Sequence, residues 1–139
     1  MGASFEEKSV WVQLIGLSVG LGAYFVVAGM MLTSGVRVLA PFVPVFVVAL
    51  IFLIILMTVG HLLAAVMRKP EARDERDRVI EWRAEGNTGW LLGVGVFLAI
   101  TGLLFDIERV WIAHLLLLSL FIAEMAKLAL QALYYRRGV

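Results

Sequence analysis

The chain contains no cysteine, which excludes disulfides, thiolate metal sites and thiol nucleophiles. It is also poor in charge. Asp, Glu, Lys and Arg make up 17% of its 139 residues, against about a quarter in an ordinary soluble domain. Apolar residues reach 62%, so the surplus has to face lipid. A formal net charge of +1 supplies no general basic field, and nucleic-acid binding by charge is set aside. No Ser-His-Asp spacing, phosphate-cradling glycine loop or dinucleotide fingerprint is present, and the glycine-rich stretches lie inside apolar runs rather than after strands. These absences point away from an enzyme and imply no cofactor. An intramembrane enzyme built on His61 and Glu124 is the minor reading they leave.

What is present is a set of long uncharged runs. A bilayer core of about 30 Å takes roughly 20 helical residues. Four segments reach or approach that length, at about 10–32, 42–66, 88–105 and 110–135. The first follows Met1-Gly-Ala-Ser-Phe-Glu-Glu-Lys, which lacks the basic start of a signal peptide, and it ends without an Ala-x-Ala cleavage pattern. It is expected to remain as a span. Pro41 and Pro44 with Arg37 break the chain after it, and Asp106-Ile-Glu-Arg109 makes the other tight turn. The predicted fold is all-α: one integral membrane domain, a four-helix bundle of two hairpins, with a charged cytoplasmic segment, 68–86, between spans two and three.

Of the 23 charged residues, 10 lie between Arg68 and Glu81. Arg68, Lys69, Arg73, Arg76, Arg78 and Arg83 in this segment, with Arg136 and Arg137 at the C-terminus, oppose only Arg37 and Arg109 in the other loops. Lys and Arg resist translocation, so the middle segment and both termini are expected in the cytoplasm. Trp11, Trp90, Tyr134 and Tyr135 fall at the inner boundary and Trp111 at the outer one. The segment from Pro70 to Glu85 is rich in helix formers, with Ala72, Val79 and Trp82 as a thin apolar stripe. Gly86-Asn87 either breaks it from span three or lets the two run on as one helix. Gly16 with Gly20, and Gly89 with Gly93, stand four apart, a spacing that allows close helix approach.

Ionisable groups inside a span are costly unless paired or wetted, which makes His61, His114, Glu124 and Lys127 the first places to look for function. Glu124 and Lys127 stand three apart on one helix face, with Gln131 a further turn along. The preferred reading is a neutralised pair that fixes packing; the functional one is a carboxylate on an ion or proton path. If the second and fourth helices touch, His61 joins Glu124 and Lys127 in one polar layer. His114, with Asp106 and Glu108 nearby, offers one imidazole and two carboxylates, a weak metal candidate because a metal site ordinarily shows a fuller ligand set. Asp74, Glu75, Arg76, Asp77 and Arg83 are candidate cytoplasmic contacts on a solvated charged helix.

Asp74-Glu-Arg-Asp77 with Ile80, Arg83 and Ala84, followed by His114, Ala123-Glu124, Lys127, Gln131 and Tyr135-Arg-Arg-Gly138, resembles a group of small uncharacterised bacterial membrane proteins. They share four predicted spans and an Asp-Glu-Arg-Asp cytoplasmic segment, and the resemblance covers roughly residues 71–138. It implies an architecture and a bacterial inner membrane. The expected function is that of a small non-enzymatic accessory or regulatory membrane protein, held in the lipid bilayer and assembling with itself or a larger membrane partner. The alternative is a homodimeric transporter or proton pathway using Glu124, Lys127 and His61.

Overall fold

The computed structural model describes residues 5–67 and 74–138. Arg68, Lys69, Pro70, Ala72 and Arg73 of the charged segment lie outside the described residues. The chain forms four helices: α1 (Phe5–Thr33), α2 (Phe42–Met67), α3 (Glu75–Leu104) and α4 (Arg109–Arg137). Each is long and apolar enough to cross a membrane, the pattern of a multi-pass membrane protein. At about 1.5 Å per residue, the 30 residues of α3 extend roughly 45 Å, well beyond a bilayer core of about 30 Å.

The helix ends follow from their capping chemistry. Glycine at position 35 takes φ 92°, which lets the Val36 N–H return to the Met31 carbonyl at 3.0 Å and close α1. Asp106 does the same for α3 at φ 53°, with Ile107 N–H donating to the Gly102 carbonyl at 2.9 Å. Aspartate is among the few non-glycine residues that tolerate this conformation. At the other end of α3, Asp74 is the N-cap: its carboxylate accepts from Glu75 N–H at 2.7 Å, while Asp77 accepts from Asp74 N–H at 3.1 Å. Asp74 is extended, so α3 begins at Glu75; Pro70, at the start of the helix-forming stretch, lies outside the described residues. Gly86 and Asn87 do not interrupt α3, and the charged segment and span three are one helix from Glu75 onward.

α1 packs on α2, α3 packs on α4, and α1 packs on α4, which places α1 and α4 centrally with α2 and α3 flanking them. Close approach in the first hairpin comes from glycines. Gly16 lies under Met57, Gly20 under Leu53, and Gly60 of α2 under Val12. In the second hairpin the close contact is Gly95 against Ser119, whereas Gly89 and Gly93 face open space. Both ends carry a cation over an indole. Arg136 sits 5.0 Å from the Trp11 ring and Arg37 is 5.0 Å from the Trp111 ring. The first pair brings the two ends of the chain to the same side, called the basic end below.

Candidate functional site

Polar chemistry concentrates at two levels, both built on α1. Toward the far end, the Tyr24 hydroxyl donates to His114 Nε2 at 3.1 Å, because His114 Nδ1–H is given to the Val110 carbonyl at 2.7 Å. The Phe42 ring meets the imidazole edge-on at 4.6 Å between centroids, and Tyr24, His114 and Phe42 are all buried. Both imidazole nitrogens are thus engaged, which removes His114 from the metal set considered with Asp106 and Glu108. Among the described residues no group of three or more His, Asp or Glu side chains can hold a metal ion.

At the basic end the arrangement repeats with different residues. His61 Nδ1–H donates to the Met57 carbonyl at 2.8 Å, leaving Nε2 to accept from the Ser9 hydroxyl at 3.0 Å. Gln13 then donates to Ser9 Oγ at 3.3 Å. Each histidine therefore spends one nitrogen on its own helix and the other on a hydroxyl of α1. His61 is joined to α1 and not directly to Glu124, because α1 lies between α2 and α4 over this stretch.

Glu124 and Lys127 form the ion pair that their spacing predicts. The pair is not enclosed: the Lys127 side chain is 26% exposed and that of Glu124 39%. Its cost and benefit therefore fall between those of a surface pair and a dry one.

Lys127 also borders a cavity of about 120 Å³ between α1, α3 and α4, which Glu6, Ser9, Asp77, Glu81 and Gln131 line with it. The three helices meet here because Val10, Leu128 and Ala132 form an apolar floor, and because Tyr135 donates its hydroxyl to Asp77 Oδ1 at 2.8 Å. Ile80 and Ala84 of α3 are fully buried beside it. Asp77 is thus turned inward, bonded by two neutral donors, the Tyr135 hydroxyl and the Asp74 N–H. Glu75, Arg76 and Arg83 remain exposed on α3, and Asp74, also exposed, caps it.

Residue spacing did not single out Ser9, Tyr24, Glu6 or Gln13. A signal for one of them existed: counted back from the α1–α2 turn, Ser9 and His61 fall at similar depth in an antiparallel hairpin. The fold and site define a four-helix, multi-pass membrane protein with a polar cavity at its basic end. Compared with known proteins, the chain matches no protein family, no curated protein and no solved structure.

Proposed function

We propose that the chain is a small non-enzymatic accessory or regulatory protein of a bacterial inner membrane, its basic end cytoplasmic, assembling with itself or a larger membrane partner. In this reading the two hairpins close into one four-helix bundle in the bilayer. The observation that carries it is the unbroken course of α3, about 15 Å longer than a bilayer core requires. Its excess length forms a rigid stalk, packed on α1 and α4 along its inner face and bearing exposed Glu75, Arg76 and Arg83 around Trp82, which is 77% exposed. A tryptophan among arginines is the composition of a protein contact, where these two residue types supply much of the binding energy. Ile80 and Ala84 anchor the opposite face of the same turns, so the stalk is held at a fixed orientation.

The second reading, a transporter or proton path built on Glu124, Lys127 and His61, has one observation in its favour. Ser9 both bonds His61 and lines the cavity beside Lys127, so polar groups of α1, α2 and α4 connect at the basic end. On α1 the next buried polar side chain, Tyr24 bonded to His114, lies about 22 Å further along, while on α4 Ser119, buried between Glu124 and His114, is bonded back to the Leu115 carbonyl of its own helix. Between them α1 packs Gly16 and Gly20 against Met57 and Leu53. That apolar interval on α1 favours partnership over conduction.

The test is a photo-crosslinking side chain at position 82, compared with one at position 54 on the exposed face of α2, in native membranes. Position 82 should give one discrete adduct, whose mass tells a second copy from a larger partner. Neutralising Glu75, Arg76 and Arg83 should reduce its yield without lowering the amount of folded protein. Equal, diffuse crosslinking at the two positions would overturn the proposal.

A further inference from the structure

Gln131 sits on α4 with 7% of its surface exposed, and its amide has no hydrogen-bond partner among the described residues. Every fully enclosed side-chain nitrogen and oxygen among those residues is bonded, so the Gln131 amide opens on the cavity that it lines. A buried amide left in this way loses its hydration without return unless something in the cavity meets it. At about 120 Å³ the space holds several times the roughly 10–15 Å³ that one water requires.

The other lining groups indicate what fits. Among the described residues, Glu6, Asp77 and Glu81 bring three carboxylates, against one ammonium, Lys127, which is already paired to Glu124. Glu6 and Glu81 are also engaged elsewhere in the chain, whereas the hydrogen-bond donors to Asp77, the Tyr135 hydroxyl and the Asp74 N–H, are neutral and leave its charge uncancelled. Acceptors of Ser9, Gln13 and Gln131 complete the wall. A lining rich in acceptors suits a group with several N–H donors and no acceptor, which is a primary ammonium. A trimethylated ammonium would need a cage of aromatic faces, and Tyr135 is the single aromatic residue in this wall among the described residues.

We infer that this cavity is a binding site for a primary ammonium group, with the Gln131 carbonyl and the Asp77 carboxylate as its main acceptors. The inference is independent of the partner reading, since it concerns the inner face of α3 and not its exposed stalk. Two sources carry this chemistry: a free small amine, and the ethanolamine headgroup of a lipid lying at the membrane boundary.

The experiment measures thermal unfolding of the full chain in nanodiscs of phosphatidylcholine, titrated with ethanolamine, with tetramethylammonium at matched ionic strength, and with sodium chloride. Ethanolamine should raise the midpoint in a saturable manner and the other two should not. Gln131→Met, which keeps volume and apolar contacts, should weaken the apparent affinity roughly tenfold, the scale of one hydrogen bond to a charged group. Gln131→Glu should strengthen it. Discs containing phosphatidylethanolamine separate the sources. If the headgroup occupies the site, these discs stabilise the protein and added ethanolamine does nothing more; if a free amine does, the response is the same in both lipids. Equal stabilisation by tetramethylammonium or sodium chloride, or an ethanolamine response unchanged by both Gln131 variants, would overturn the inference and leave a water-filled cavity.

Discussion

Gly95 and Gly93 stand two residues apart on α3, yet the same alanine substitution should have opposite effects at the two positions. A Cβ at Gly95 would lie 1.9 Å from Ser119 Oγ and 2.1 Å from Ser119 Cβ, whereas one at Gly93 meets nothing within 4 Å. The hydroxyl could rotate away, but Ser119 Cβ is fixed to the α4 backbone. Reaching an ordinary carbon contact of about 3.5 Å therefore requires α3 and α4 to separate by about 1 Å or more. Overpacking of this kind costs about 1–3 kcal/mol or more, while alanine over glycine returns about 1 kcal/mol of helix propensity. Gly95→Ala should accordingly lose up to about 2 kcal/mol net, and Gly93→Ala should be neutral or gain up to about 1 kcal/mol. Unfolding in detergent, followed by circular dichroism, gives both values. Adding Ser119→Gly to Gly95→Ala removes the two obstructing atoms and should recover a good part of the loss. Equal stability of the two alanine variants would refute the α3–α4 packing on which the cavity depends.

Tyr24→Phe removes the donor to His114 Nε2 within a buried contact. It should cost about 1–2 kcal/mol of stability in detergent, the scale of an interhelical hydrogen bond in a membrane protein. Glu124→Gln and Lys127→Met should each destabilise by about 1–3 kcal/mol, between the values for exposed and buried pairs, and the double variant should recover part of the loss. Additive losses without coupling would show that the pair does not act as one. For orientation, Ser34→Cys in the α1–α2 turn should react with an impermeant thiol reagent on intact cells, and Arg83→Cys on the α3 stalk should not; both positions are exposed. Ser34 is chosen over its neighbour Gly35 because the φ of 92° there disfavours a side chain.

The four helices were legible because long apolar runs report on lipid directly: α2 and α4 match the expected segments to within two residues, and α1 and α3 begin a turn or more earlier than expected. The Glu124–Lys127 pair was legible for the same reason that it forms: three residues on a helix bring side chains to one face. The continuity of α3 was not, because Gly86 and Asn87 are weak helix formers whose effect depends on surroundings. Here Asn87 donates to the Tyr134 hydroxyl at 3.1 Å, while Ile80 and Ala84 below it are buried. The cavity was illegible for a topological reason. Its wall draws on residues 6–13, 77–81 and 127–135, three stretches that no spacing rule connects. Asp74 and Asp77 read as surface charges in a run of charges; the capping geometry and the Tyr135 bond give them structural work as well.

Proton flux into liposomes tests the central claim most directly, because the claim is that the polar groups of this membrane domain form local pairs and do not form a conducting chain. Purified protein reconstituted at known density, with an imposed pH gradient and an entrapped pH-sensitive dye, gives a rate to set beside protein-free vesicles. The account predicts the same rate for the native chain, for Glu124→Gln and for the empty vesicles, within the spread of repeated preparations. A flux present in the native chain and abolished in folded Glu124→Gln would contradict it, and would make the apolar interval between Ser9 and Tyr24 a path that opens.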